Sequence, residues 1–378
     1  MFQKIGILGA GQLGRMLWQC AVDWNLEVHF LDNDKNAPCK ELTNNFVLGN
    51  ITNYQDVYNF GKNLDLITIE IENVNTKALS QLEKEGKKIF PQPHIIELIQ
   101  DKGLQKEFYQ KNNIPTLPFW LFENKKEVID FFEKNNQKYF QKMRKGGYDG
   151  KGVQKLFSKN EYEFLFDQPS LLESALPLEK EISVLVARNL KGEIKTFPPV
   201  EMVFNQELNL VDYLLSPANI DQNTIKKAEN LAKLVIEKLN MVGLLAVEMF
   251  LDNNHQLYIN EIAPRPHNSG HQTIEANNTS QYQQMWRAIL NLPLGNTSTS
   301  CFSVMLNILG EKGFEGEVFY ENLDKILALE NVFVHLYGKK ITKAGRKMGH
   351  ITIIGQNFEA IKEKINWIKN NFKVISKS

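Results

Sequence analysis

The chain has 378 residues, more than one hydrophobic core serves, so two or three domains are expected. Apolar residues make up 43% and charged residues 23%, the balance of an ordinary globular protein. Lys plus Arg (44) equals Asp plus Glu (44), so no overall field recruits nucleic acid or an anionic membrane, and any anion must be held by a local cluster.

Met1-Phe2-Gln3 runs directly into the strand-like Lys4-Ile5-Gly6-Ile7-Leu8 with no basic, apolar-cored leader, and no apolar run is long enough to cross a bilayer. Cys20, Cys39 and Cys301 fit neither a disulfide framework nor a zinc motif. A cytoplasmic protein with no membrane partner is the expectation.

The first hundred residues alternate strand and helix. Ile5–Leu8 is followed by Gly9-Ala10-Gly11-Gln12-Leu13-Gly14, Arg15–Trp24 reads as a helix, Val28–Leu31 as a strand ending at Asp32, and Leu64–Ile71 as a further apolar strand. That pattern predicts βαβ units on a parallel sheet. Gly9, Gly11 and Gly14 have the spacing of a dinucleotide fingerprint, and Asp32 stands where a ribose-binding acid is expected. A nicotinamide-dependent oxidoreductase is therefore one reading. The same turn cradles any phosphate at a helix N-terminus, which makes the motif weak alone.

Asp101–Asn113 has a helical composition and stops at Ile114-Pro115, and Lys125–Asn135 is a second helix with Val128, Ile129, Phe131 and Phe132 on its apolar face. A strand, Tyr139–Met143, leads into Lys145-Gly146-Gly147-Tyr148-Asp149-Gly150-Lys151-Gly152. The glycines let backbone N–H groups approach phosphate, Lys142, Arg144, Lys145 and Lys151 supply charge, and the flexibility suits a closing lid. A hairpin with an Asp149-Gly150 turn explains the same residues without a ligand. Strands at Ser170–Leu172 and Glu181–Ala187 and a long helix, Gln222–Leu239, follow.

Leu244–Leu251 is an apolar strand with one carboxylate, Glu248, inside it, and an unpaired buried carboxylate costs several kcal/mol. Asp252–His255 forms a turn, and Gln256–Ile259 returns as a strand ending at Asn260-Glu261. With a four-residue loop, Leu251 pairs with Gln256, Glu248 lies opposite Ile259, and Glu261 is its diagonal neighbour on the same face, roughly 7–8 Å away. Two carboxylates on one face suit a hard divalent ion shared with phosphates, while a loop one residue different would put them on opposite faces. Salt bridges from each Glu to a Lys or Arg explain the pair equally well. Ile262-Ala263-Pro264-Arg265-Pro266-His267-Asn268-Ser269-Gly270-His271 is then a rigid loop offering a guanidinium, two imidazoles, an amide and a hydroxyl, a set suited to an oxyanion such as bicarbonate or an acyl phosphate.

Asn291–Ser300 is polar and turn-rich, a domain boundary. Strands around Ser303–Ile308, Val332–Tyr337 and His350–Ile354 and a helix from Phe358 close the chain. Lys339, Lys340, Lys343, Arg346 and Lys347 make a basic turn. With no aromatic platform or basic stripe beside it, the phosphate of a small substrate fits this turn better than nucleic acid.

Gly9–Met16 (GAGQLGRM), Gly147–Gly152 (GYDGKG), Asn260–His271 (NEIAPRPHNSGH) and Gly345–His350 (GRKMGH), in this order, resemble the 5-(carboxyamino)imidazole ribonucleotide synthases, ATP-grasp carboxylases of purine synthesis. The resemblance covers essentially the whole chain, and its last two motifs are long and distinctive. It implies a mixed α/β and α+β fold: a Rossmann-like pre-ATP-grasp domain (1–98), an ATP-grasp domain with a mobile lid (99–297) and a small β-rich C-terminal domain (298–378). It implies the conversion of ATP, bicarbonate and 5-aminoimidazole ribonucleotide to the N-carboxylated ribonucleotide, ADP and phosphate, and a homodimer. Carried over by motif, Lys102 and Lys142 face the nucleotide and Gly147, Tyr148, Asp149, Gly150, Lys151, Gly152 and Val153 form the phosphate lid. Glu173, Ser174, Ala175 and Leu176 bind adenine and Glu181 the ribose. Glu248 and Glu261 hold magnesium, with manganese as the alternative ion, and Asn260 adjoins them in the nucleotide site. Arg265, His267 and Asn268 cradle bicarbonate and then carboxyphosphate. Tyr148 and Asp149 face the aminoimidazole, with Asp149 the proton acceptor, and Lys339 and Arg346 hold its phosphate near Gln12 and Leu13.

Two positions depart from the family pattern: Phe204 stands where many relatives have a His and receives no role, and Lys102 replaces a common Arg and loses its bidentate fork. Glu70 and Glu72 are family-like, with the one facing substrate left open. A formate-dependent ribonucleotide transformylase and a biotin carboxylase are the alternatives within the ATP-grasp class, and the length of the Asn260–His271 match argues against both.

Overall fold

The computed structural model describes residues 4–147, 152–205 and 210–377, with residues 205 and 210 described by their backbone alone. The N-terminal sheet has five parallel strands, β1 (Lys4–Leu8), β2 (Glu27–Asp32), β3 (Phe46–Leu48), β4 (Leu66–Ile69) and β5 (Lys88–Ile89), in the order β3-β2-β1-β4-β5. Its central strands are mainly apolar and buried because both faces are covered. Ile5, Ile7, Val28 and Phe30 pack beneath the helix Gln12–Asp23, while Leu8, Leu31, Ile67 and Ile69 pack on the other side against Val57, Leu79 and Leu82.

Four antiparallel strands, β6 (Phe119–Phe122), β7 (Tyr139–Met143), β8 (Val153–Leu156) and β9 (Ser170–Ser174), form a second sheet in the order β6-β9-β7-β8. The helix Lys125–Asn135 lies over it through Val128 and Phe132.

The largest sheet is antiparallel and nine-stranded. It contains β10 (Leu178–Arg188), β11 (Ile194–Thr196), β12 (Val200–Asn205), β13 (Leu210–Ser216), β14 (Gly243–Asp252), β15 (Leu257–Ala263), β16 (Phe302–Leu309), β18 (Val332–Leu336) and β20 (Lys347–Gly355). Its order is β15-β14-β10-β12-β13-β16-β20-β18, with β11 on β10. β17 (Gly316–Glu321), β19 (Ile341–Thr342) and β21 (Lys373–Ser376) make a small separate sheet. The polar stretch Asn291–Ser300 therefore does not divide two independent sheets: β13 pairs with β16 across it.

Helix Gln222–Leu239 covers one face of the large sheet, its start capped by Asp221 and its end by Asn240 in the left-handed conformation. Val235 and Ile236 pack there against Val184, Leu245 and Val247. Helix Gln281–Ile289 covers the opposite face and also docks the N-terminal domain, through Trp286, whose indole N–H donates to the Leu17 carbonyl at 2.9 Å. Among the described residues no helix is long and apolar enough to cross a membrane.

Candidate active site

The β14–β15 hairpin differs in register from the sequence expectation. Leu251 pairs with Leu257, not Gln256, and Met249, not Glu248, lies opposite Ile259. The loop is one residue longer because the Asp252 N–H closes on the Gln256 carbonyl at 3.0 Å, with Asp252 Oδ1 accepting from the N–H groups of Asn254 and Gln256. That change alone would put the two glutamates on opposite faces. A β-bulge at Asn260 then inserts one residue and restores them, so that Glu248 stands directly opposite Glu261. Asn260 and Glu261 both reach the cleft, Asn260 Oδ1 accepting from Lys142 Nζ at 2.8 Å and Glu261 pairing with Lys102.

The carboxylates are held differently. Burial, reinforced by Glu261 and Glu181, raises the Glu248 carboxyl to about 8. Burial also opposes charge on Glu261, but the Lys102 ammonium outweighs it and holds this carboxyl below the ordinary range. The pair thus shares its protons unequally, as two acids forced together do. Among the described residues no group of three His, Cys, Asp or Glu is arranged for a metal.

Behind this pair lies an ion network that the sequence did not suggest. Glu173, 2% exposed, accepts from Lys142 at 2.6 Å and from Lys106, which also donates to Thr116 Oγ1 at 2.6 Å. Burial is the largest influence on Lys106 and lowers it to about 8, while at Glu173 burial is outweighed by Lys142 and Lys106 and the carboxyl is lowered. The Glu173 side chain is therefore committed to lysines rather than to adenine. Lys106 had one readable signal: it follows Lys102 by four on the helix Lys102–Lys111 and shares its face. Glu181 meets the same cleft, raised to about 7 chiefly by burial, with Lys142 opposing.

Asp101 caps that helix and accepts from Arg144 Nε and Nη2 at 2.9 and 3.0 Å, tying Lys102 to the stem of the glycine-rich loop. The loop's neck is narrow: a Cβ on Gly152, at φ +86°, would lie 3.0 Å from Gly147 Cα. Tyr148, Asp149, Gly150 and Lys151 lie outside the described residues. Val153 opens β8 opposite Lys142. Ser174, Ala175 and Leu176 line a cavity of about 620 Å³ with Thr116, Lys138 and Tyr258. Lys102, Lys106, Lys142, Glu173, Glu181, Glu248 and Glu261 do not line that cavity. Phe204 packs with Met202 and Leu214.

The segment after Glu261 folds back on the glutamate pair. His267 Nε2 is 3.3 Å from Glu248 Oε1 and its Nδ1 is 2.9 Å from Ser269 Oγ. Arg265 pairs with Glu72 at 2.8 Å, one of the two carboxylates whose role the sequence left open. Asn268 begins the short 3-10 turn Asn268–Gly270. Gln281, fully buried and not predicted, fixes the loop: its Oε1 accepts from the His267 N–H and its Nε2 donates to the His267 carbonyl, both at 2.8 Å.

Glu70 has another task. Its carboxylate accepts from the N–H groups of Gly11 and Gly14 at 2.6 Å each, and Asp32 accepts from the Ala10 N–H at 2.7 Å. Burial raises the Glu70 carboxyl, with those two N–H groups opposing. The glycine-rich turn that would hold a dinucleotide pyrophosphate is filled by the chain's own acids, and the oxidoreductase reading fails on that geometry. Gln12 and Leu13 sit at the open start of the same helix. Across from them Lys339 Nζ donates to the Lys347 carbonyl at 2.8 Å and lies 5.6 Å from the Tyr337 ring, while Arg346 donates to the Ile341 carbonyl at 2.7 Å.

Known proteins resemble this chain along its length. Residues 2–100 match the ribonucleotide synthetase preATP-grasp domain, 107–282 the ATP-grasp domain, and 303–364 the phosphoribosylaminoimidazole carboxylase C-terminal domain. The chain is 34% identical to the N5-carboxyaminoimidazole ribonucleotide synthase of Bacillus subtilis, over 93% of this chain and 91% of that protein. It is 37% identical to the phosphoribosylaminoimidazole carboxylase of Candida albicans, spanning all of this chain but 68% of that longer protein. Among solved structures it is similar to the N5-carboxyaminoimidazole ribonucleotide synthetase of Thermotoga maritima, with TM-score 0.91 at 38% identity over 100% of both chains. It is also similar to the Aspergillus clavatus synthase in complex with ADP and 5-aminoimidazole ribonucleotide, with TM-score 0.88 at 31% identity over 98% of both. The chain belongs to the N5-carboxyaminoimidazole ribonucleotide synthase family.

Proposed function

We propose that this protein is an ATP-dependent ligase that carboxylates 5-aminoimidazole ribonucleotide with bicarbonate, releasing ADP and phosphate, in purine biosynthesis. The observation that carries the reading is the stretch from Glu248 to His267: the two facing glutamates are joined through the 3.3 Å Glu248–His267 contact to the loop bearing Arg265 and Asn268. The sites for phosphoryl transfer and for bicarbonate are thus neighbours.

In this reading Glu248 and Glu261 hold magnesium, which when bound offsets the phosphate charge. Lys102 and Lys142, paired here with Glu261, Glu173 and Asn260, are the cations that would face the nucleotide phosphates. Arg265, His267 and Asn268 orient bicarbonate for attack on the terminal phosphoryl group and stabilise the carboxyphosphate that forms. Glycines 147–152 exclude water from that labile species, and Asp149 accepts the proton of the attacking amine. Lys339 and Arg346, with the Gln12–Leu13 turn, hold the ribonucleotide phosphate. A cytoplasmic homodimer is the expected form.

The test is ADP release by purified protein with ATP, magnesium and bicarbonate on adding 5-aminoimidazole ribonucleotide. ADP release with formate and glycinamide ribonucleotide instead would sink the assignment. Light scattering on the eluting protein gives the oligomeric state, a monomer counting against the dimer.

A further inference from the structure

Three imidazoles are stacked where the ATP-grasp loop meets the C-terminal strands. The His271 and His350 ring centroids are 4.6 Å apart, and those of His350 and His335 are 4.4 Å apart with planes 9° from parallel. His335 and His350 are direct cross-strand partners on β18 and β20, whereas His271 ends the 3-10 turn that carries Asn268. Each ring is tethered. Tyr282 Oη is 2.9 Å from His271 Nδ1, Tyr337 Oη is 3.0 Å from His350 Nδ1, and His335 Nε2 is 2.6 Å from Glu275 Oε1. His271 and His350 are 1% and 0% exposed, and burial, with the neighbouring imidazoles adding, depresses both well below the ordinary histidine range, so both are neutral. Three imidazoles in two ring contacts, two of them tethered by tyrosines, are costly to assemble merely to fill a core that leucine would fill, and His350 Nε2 has no hydrogen-bond partner among the described residues.

The stack lies on an unbroken route between two parts of the proposed site. Gln281 grips the His267 backbone and its Nε2 is also 3.2 Å from His271 Nδ1. His271 stacks on His350, His350 is held by Tyr337, and Lys339 lies against the Tyr337 ring two residues on. Space around the turn is tight: a Cβ on Gly270 would come within 2.6 Å of Gln281 Oε1, and one on Gly349 within 2.4 Å of the His335 carbonyl. We infer that His271, His350 and Tyr337 are positioning residues that fix the bicarbonate loop relative to the basic turn, and so set the span over which carboxylate is delivered to the ribonucleotide amine. They touch no reacting atom. The role rests on the carboxylase reading above, since only a reaction joining groups held at both ends needs that span fixed.

The experiment compares wild type with Tyr337→Phe, which removes one hydroxyl, and His350→Gln, alone and combined. Three quantities are read: the affinity for ADP with magnesium, the KM for 5-aminoimidazole ribonucleotide, and ADP released per ribonucleotide carboxylated. The expected result is ADP affinity within about twofold of wild type, with KM or the release ratio raised at least about fivefold and a non-additive double variant. If Tyr337→Phe, folded by circular dichroism, keeps KM and ratio within about twofold of wild type, the inference is overturned whether or not His350→Gln folds. A wild type with no ribonucleotide-dependent ADP release overturns the carboxylase reading itself, an outcome distinct from normal wild-type turnover with unaffected variants.

Discussion

Replacing Gln281 by Ala removes a side chain that no reacting group touches, yet it is expected to disable bicarbonate chemistry. The amide donates to one backbone group of His267 and accepts from another, each at 2.8 Å. A backbone group left unsatisfied away from water costs about 1–3 kcal/mol. With two such groups in a half-buried loop, the loss sums to about 2–4 kcal/mol, and the melting temperature falls by about 5 °C or more. His267 is then free to leave Glu248, and a displacement near 1 Å is enough to slow bicarbonate-dependent ADP formation about 10–100-fold. The Glu248–Glu261 pair and Lys102 are untouched, so magnesium-dependent ADP binding, followed calorimetrically, stays within about threefold of wild type. A variant that melts like wild type and turns over at the wild-type rate would refute the claim that Gln281 holds the loop. Equal losses in ADP binding and turnover would show instead that the whole cleft had collapsed.

Glu261→Gln is expected to abolish turnover and weaken magnesium-dependent ADP binding at least about tenfold in a protein with native circular dichroism; retained activity would refute its metal role. The pH dependence of apo-protein stability has a definite sign. Glu248 and Glu181 are raised, to about 8 and about 7, chiefly by burial, from an ordinary value of 4.5. Their contribution is therefore fully present below pH 4.5 and is lost as the pH rises towards 8, so the apo melting temperature falls across that window and magnesium with ADP raises it most at the alkaline end. A pH-independent melting temperature in that window would count against the buried acid pair. Gly11→Ala would put a Cβ 2.7 Å from Glu70 Oε1, so a loss of about 1–3 kcal/mol is expected in thermal unfolding, and an unchanged melting curve would mean Glu70 does not fill the loop. NADH titrated into the wild type should give no binding by fluorescence, since Glu70 and Asp32 occupy the turn; tight binding would restore the oxidoreductase.

Local pattern carried much of this architecture. The helices Lys125–Asn135 and Gln222–Leu239 and the strand Tyr139–Met143 begin and end where their periodicity and caps place them. The hairpin shows where local reading stops. Its two glutamates do share a face, but the four-residue loop was wrong by one and the Asn260 bulge restored the phase, and neither event leaves a mark in hydrophobic alternation. Residues acting through distant partners were invisible for a related reason. Glu70 reaches the glycine-rich turn only because β4 lies beside β1, and Gln281 meets His267 fourteen positions back along a folded-over segment. Lys106 was legible in principle from its spacing to Lys102, but its partner Glu173 sits 67 residues away in β9. β12 and β13 went unread because their apolar runs are short and mixed with polar residues.

The sheet that runs unbroken from β15 to β18 has a consequence for how the protein can be divided. Ending the chain before β16 would strip the partner from β13 and expose its backbone edge from Leu214 to Ser216 to any other extended chain. The last eighty residues therefore cannot be exchanged as a detachable specificity cassette. A swap between relatives would have to carry β13 together with β16, and the seam at which such a hybrid tolerates cutting lies inside the sheet's own hydrogen-bond ladder rather than in the polar linker.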